Sequence, residues 1–350
     1  MSRPGWRYNP AATLSGSGGM KDGFRRVCAA FVAAVLVSAL GCSDPMDGVR
    51  FACDPAGPET CAAGWKCQPA DEIYRSLYQG ICLPEDAVVP MVKVPNGTFR
   101  MGCNEEKDSS CSCPDSDECP SHNVNVPGFF IDQYEVTVAA YRACVDQGRC
   151  ETPSGHGECN WGVSGRGQHP VNCIDWYQAR VFCTWAGKRL CSESEWEKAA
   201  RGTDGRVYPW GDEDPLSAQT KYGGPVGNFA DDTAKTVHTS WTVITGYDDW
   251  YADTAPAGQF EKGASPYGAL DLSGNVWEWV EDCYQSTYDS GAPLDGKART
   301  ACTTHDGAAR VIRGGGFDYY AVDLRASNRV DDGPDDDVVF IGARCCRSLP

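Results

Sequence analysis

Ala186 to Gly202, AGKRLCSESEWEKAARG, is the stretch whose reading decides the fold. Ser192 stands three residues ahead of Glu195. At that spacing a serine hydroxyl accepts from the backbone N–H of the glutamate, whose side chain returns to the serine's own N–H. A helix is therefore predicted to begin at Ser192, with Trp196, Ala199 and Ala200 on its inner side. Immediately upstream, Asp175 to Ala186 (DWYQARVFCTWA) places Trp176, Ala179, Cys183 and Ala186 on one helical face, with Gly187 as the stop. Further out, Thr137 to Asp146 (TVAAYRACVD) reads as a helix ended by Gln147-Gly148, and Val92 to Val94 and Phe129 to Ile131 read as short strands. Long Gly-, Asp- and Pro-rich loops separate them, and no repeat of solenoid period is visible. The expected class is α+β with little regular secondary structure.

The 350 residues hold 20 cysteines, scattered from Cys28 to Cys346 and not grouped as paired zinc ligands, which argues against a reducing compartment. An export signal fits this. Met20 is followed by Lys21, Arg25 and Arg26, then by the apolar run Val27 to Leu40, too short to span a bilayer, then by Gly41-Cys42. Translation is expected to start at Met20. Gly41-Cys42 resembles a bacterial lipobox, so Cys42 is the expected lipidation site and the lipid the only expected membrane attachment. The protein is then exported to the bacterial cell envelope, lipid-anchored or secreted. A formal charge of −17 opposes a phosphate backbone and makes nucleic acid a poor partner.

Three regions follow: a signal region at 1–42, a small cysteine-rich module or spacer at 43–90, and one unit at 91–350. The module has four cysteines, at 53, 61, 67 and 82, and too little apolar sequence for a core of its own. Their pairing is open.

Within 91–350 a series of strings occurs in order: VPNGTFRMG (94–102), YEVT (134–137), HPV (169–171), AGKRLCSESEWEKAARG (186–202), YPWG (208–211), YGALDLSGNVWEW (267–279), RGG (313–315) and IGARC (341–345). Together they resemble the formylglycine-generating enzyme and sulfatase-modifying-factor family. The resemblance implies a compact fold related to C-type lectins. It also implies an oxidase that converts a sulfatase cysteine, in a Cys-x-Pro-x-Arg motif, to formylglycine through copper(I) held by two thiolates. Fold alone does not carry that chemistry.

The family's cysteine pair follows the RGG string, and here Arg313 to Arg329 reads RGGGFDYYAVDLRASNR, without a cysteine. The first position falls on Tyr319 and the second near Leu324, or near Ala321 counting back from Gly342. Neither tyrosine nor leucine offers the soft sulfur that copper(I) selects, so copper is not expected and no catalytic residue is assigned. A second branch of the family uses three histidines on iron. His122, His156, His169, His238 and His305 are dispersed and lack that pattern.

Calcium is the expected cofactor. The resemblance implies one site at Asn228, the Phe229 carbonyl, Asp249 and the Tyr251 carbonyl, and another at Asp271, the Gly274 and Val276 carbonyls and Glu278. These are hard oxygen donors of the kind calcium takes. The alternative for the second site is that Asp271 caps a turn and Glu278 pairs with an arginine. Arg313, Tyr319, Tyr320, Arg325 and Arg329 are candidates to line the vacated pocket, the arginines being as readily explained by buried ion pairs. Trp241 and Trp250 are further surface candidates, and Asp331 to Asp337 (DDGPDDD) reads as a solvated loop. The expected function is a non-oxidase binding or scaffold protein holding a peptide, protein or glycan of the envelope. The alternatives are a formylglycine-generating oxidase with displaced ligands and an accessory subunit of an exported enzyme.

Overall fold

The computed structural model describes residues 52–53, 61, 65–69, 80–114, 116–288, 291–302 and 309–349. The export signal and Cys42 lie outside these residues. All three predicted helices form. The first, α1 (Val138–Asp146), is capped by Thr137; α2 (Trp176–Trp185) begins with a capping box between Asp175 and Gln178; α3 (Glu193–Arg201) begins with the Ser192–Glu195 box. Two shorter helices join them, α4 (Pro215–Tyr222) and α5 (Asp232–Val237), capped by Asp214 and Asp231.

Thirteen short strands lie among the described residues. β1 (Ala52–Cys53), β2 (Trp65–Pro69) and β3 (Gly80–Pro84) make a small sheet in the cysteine-rich module. β4 (Met91–Val94), β7 (Phe129–Asp132), β13 (Cys345–Ser348) and β8 (Arg189–Leu190) form an antiparallel sheet in that order. β5 (Gly97–Met101) pairs with β6 (His122–Val126). The last sheet runs β11 (Arg329–Asp332), β10 (Arg310–Arg313), β9 (Trp277–Cys283) and β12 (Ile341–Ala343), with β9 and β12 parallel. Nearly every residue of β9 is buried, because neighbours cover both its faces.

Only Arg344 separates β12 from β13, so the chain passes from one sheet to the other across a single buried arginine. Its guanidinium holds Glu278 of β9 (2.8 Å) and the carbonyls of Asp132 (2.9 Å) and Leu270 (2.7 Å), which ties the two sheets together. Around it Trp196, Trp277 and Trp279 are fully buried, each contributing about 1.5–3 kcal/mol by removal from water.

Packing does not break at the composition change near residue 90. Leu83, Ala87 and Val89 belong to the same core as Trp176, Trp277 and Trp279. Gln68 donates to the Ala186 carbonyl (3.0 Å), and Arg347 donates to that of Pro69 (2.8 Å). The module supplies core residues to the unit that follows.

Candidate functional site

The segment Arg313–Arg329 leaves β10, loops out and returns as β11. Gly314 and Gly315 make the exit with φ of +105° and +79°, backbone that a side chain rarely adopts. A Cβ on Gly315 would meet Leu324 Cδ2 at 2.7 Å, so the loop closes on itself only because glycine stands there. A 3₁₀ turn, Ala321–Leu324, completes the closure.

This loop fixes what occupies the positions expected for sulfur. Tyr319 is half-buried, its ring edge-on to Trp277 with centroids 5.2 Å apart, and its carbonyl accepts from Ala230 N (3.0 Å). Leu324 is buried with Val207, Tyr208, Trp210, Phe229 and Tyr247, while its carbonyl accepts from Ser273 Oγ (2.7 Å). The Ala321 carbonyl accepts from Tyr208 (3.2 Å). Each position is taken up by packing and backbone bonding.

The fourteen cysteines of residues 91–350 form seven disulfides: 103–111, 113–119, 144–150, 159–173, 183–345, 191–346 and 283–302. Cys345 and Cys346 therefore reach to α2 and to the residue before Ser192, and do not bond each other. In the module, Cys61 pairs with Cys82, and Cys67 is also disulfide-bonded. One grouping among the described residues has metal-type spacing, the sulfurs of Cys103, Cys113 and Cys119, within 4.8 Å of one another, and all three are disulfide-bonded.

Of the candidates for the pocket wall, the three arginines are buried in ion pairs. Arg313 bonds Glu197 and the carbonyls of Ser327 (2.7 Å) and Asn328 (2.5 Å). Arg325 holds Asp108 (2.8 Å) and Glu118 (2.6 Å), and Arg329 holds Glu193 (2.7 Å). The carboxylate partners lie 116 to 217 residues away in sequence, so no local pattern encodes them. Tyr320 is 43% exposed. Beside the loop, Trp241 stacks on His238 (3.8 Å, 8°) and leans on Phe317 (5.9 Å), and His238 Nε2 is 2.9 Å from Asp253 Oδ1. Asp318 Oδ1 has no partner, and burial first, then Asp323 and Glu158, pushes its pKa up to about 7.

The residues of the first expected calcium set meet, though Phe229 and Tyr251 do so through their backbone N–H groups and not the carbonyls expected as ligands. Asn228 Nδ2 donates to Asp249 Oδ1 (3.1 Å), Phe229 N to Asp249 Oδ2 (2.9 Å) and Tyr251 N to Asp249 Oδ1 (2.9 Å), while Asn228 Oδ1 is buried without a partner. Burial, then the neighbouring Asp231, pushes the Asp249 pKa up to about 8. These are groups that lack a positive charge.

In the second set one member has other partners. Both oxygens of Glu278 are engaged, by Arg344 (2.8 and 2.9 Å) and by Trp196 Nε1 (2.6 Å), which is the alternative the sequence allowed. Asp271 Oδ2 accepts from Gly258 N (2.5 Å), and its Oδ1 is buried and unpartnered. Gly274 and Val276 lie on the turn between Asp271 and Glu278. Glu135, present in the YEVT string but not assigned a role from sequence, is fully buried with both carboxyl oxygens unpartnered. Burial, then Asp271, pushes its pKa well up. Only folding reveals this, because 135 residues separate Glu135 from Asp271 and Asp271 supplies no local cue.

The chain is 30% identical over 312 residues to the formylglycine-generating enzyme of Thermomonospora curvata, covering 75% of this chain and 94% of that one. It is 28% identical over 305 residues to a Bos taurus protein named inactive C-alpha-formylglycine-generating enzyme 2, covering 73% and 87%. Among solved structures, PvdO from Pseudomonas aeruginosa superposes with a TM-score of 0.58 at 26% identity, covering 74% of this chain and 94% of that one. Treponema denticola variable protein 1 shares the fold with a TM-score of 0.53 at 18% identity, covering 74% and 95%. Residues 83–349 match the sulfatase-modifying factor enzyme 1-like domain, and the chain belongs to that family.

Proposed function

We propose that this family member is a non-oxidase binding or scaffold protein of the bacterial cell envelope, exported and anchored through a lipid on Cys42. One observation carries the reading: every cysteine of residues 91–350 is in a disulfide, and the positions where the resemblance expects copper(I) thiolates carry Tyr319 and Leu324 or Ala321. Phenol and alkyl groups are not ligands for that soft ion. The loop instead offers a recognition surface, with Tyr320 and Trp241 as aromatic contacts and the His238–Asp253 pair as polar ones. Aromatic side chains with a polar neighbour supply contact area at low entropic cost, which suits a peptide, protein or glycan ligand.

Calcium fits two groups of residues. Asn228 and Asp249, with backbone oxygens beside them, would hold one ion. Asp271 and Glu135 would hold the other, with the Gly274–Val276 turn, because both Glu135 oxygens and Asp271 Oδ1 are buried without a donor. Bound there, the ion supplies positive charge to carboxylates that are otherwise expensive to ionise. Its role in this reading is structural.

Incubating the purified full chain with copper(I), oxygen and a Cys-x-Pro-x-Arg peptide, then weighing the peptide, tests the central assignment. An unchanged peptide mass is expected. Aldehyde formation that vanishes when copper is chelated overturns it.

A further inference from the structure

Trp250 is 68% exposed and carries a φ of +71°. Each property is unfavourable for tryptophan. Left-handed backbone is an outlier for a bulky side chain, and an indole ordinarily sits out of water. The surroundings hold the backbone in this state: Asp248 Oδ1 accepts from Trp250 N (3.0 Å) and from Thr233 Oγ1 (2.7 Å), and the Asp248 carbonyl accepts from Gln219 (2.9 Å). A residue that is both strained and exposed, and over-determined by its neighbours, is a candidate for function.

Beside it lies an open concavity of roughly 550 Å³. Tyr251 and Phe260 meet edge to face within its lining, with centroids 6.3 Å apart. Gln259, Glu261 and Lys262 are exposed on it, and the Lys262 ammonium is steadied by the Gly223 carbonyl (2.6 Å). The site thus joins an indole plane to an amide, a carboxylate and an ammonium.

From this juxtaposition we infer that Trp250 and its concavity form a binding site for a neutral, equatorially substituted pyranose chain of the β-1,4-linked kind. Such a sugar presents a flat face of C–H groups, which stacks on an indole, and a rim of hydroxyls that both donate and accept. Gln259 and Lys262 donate to that rim, and Gln259 and Glu261 accept from it. The volume is within the range of small-molecule sites. A net charge of −17 disfavours a polyanionic chain and leaves a neutral one unopposed. This site is separate from the 313–329 loop and does not depend on that loop's role.

The test is calorimetric titration of the full chain with cellohexaose, with chitohexaose and with a hexaproline peptide, repeated on Trp250→Gly and Trp250→Phe. At least one glycan is expected to bind and to shift indole fluorescence. Trp250→Gly weakens binding by about tenfold or more, while Trp250→Phe keeps part of it. Because glycine accepts positive φ, Trp250→Gly leaves the melting midpoint unchanged or raises it by roughly 2–4 °C, so lost binding is not lost folding. No glycan binding, equal binding by Trp250→Gly, or tighter binding of hexaproline than of either glycan overturns the inference.

Discussion

At the residue scale the molecule is dominated by buried charge. Arg313, Arg325, Arg329 and Arg344 each sit against carboxylates, so their burial is compensated. The carboxylates whose burial outweighs any nearby cation are the informative ones. Asp249 is raised to about 8 and Asp282 to about 7, in both cases first by burial and then by a neighbouring carboxylate. Each holds its proton in the fold at pH values where the unfolded chain has released it. The native state therefore binds more protons than the unfolded state, and stability falls as pH rises from about 4 to about 8. In a chelator the melting midpoint is expected to drop from pH 5 to pH 8. Calcium raises it at pH 8 by supplying the charge Asp249 lacks, while the share due to Asp282 persists. A midpoint at pH 8 that calcium leaves unchanged would refute the calcium sites.

At the scale of the element, helix starts carry most of what is legible. Ser192, the cap of α3, accepts from Glu195 N (3.2 Å), donates to the Gly296 carbonyl (2.8 Å) and donates its own N–H to Glu195 Oε2 (2.9 Å). Ser192→Ala is expected to lower stability by about 1–2 kcal/mol in urea unfolding, since a cap and a tertiary bond go together. A loss under half of that would mean the box does not set the helix start. Apolar periodicity and the stops at Gln147-Gly148 and Gly187 placed α1 and α2 to within a residue, because these too are local signals. They did not give α4 and α5. Asp214-Pro215 is a good start signal, but α4 buries only Pro215 and Ala218 and so shows little periodicity. The partners of Arg325, at Asp108 and Glu118, and the orphan oxygens of Glu135 were not legible, because no local pattern encodes a contact made across the whole chain.

For the whole molecule, covalent and non-covalent ties converge on the last strands. Cys183–Cys345 and Cys191–Cys346 span 162 and 155 residues and fasten β13 and its preceding residues to α2 and the start of α3. Arg344 does the same through Glu278. Cysteines that the sequence showed only as numerous are distributed as seven closed bonds in residues 91–350, none of them at Tyr319 or Leu324. On the proposed reading, the family frame is kept while the positions expected for its sulfur pair carry Tyr319 and Leu324 or Ala321. The most direct measurement is a thiol count on the full chain purified under oxidising conditions: alkylate it unfolded without reductant, digest it, and weigh the peptides. The account predicts no alkylated cysteine in residues 91–350 and linked peptides joining Cys183 to Cys345 and Cys191 to Cys346. Two alkylated cysteines in that region would contradict it.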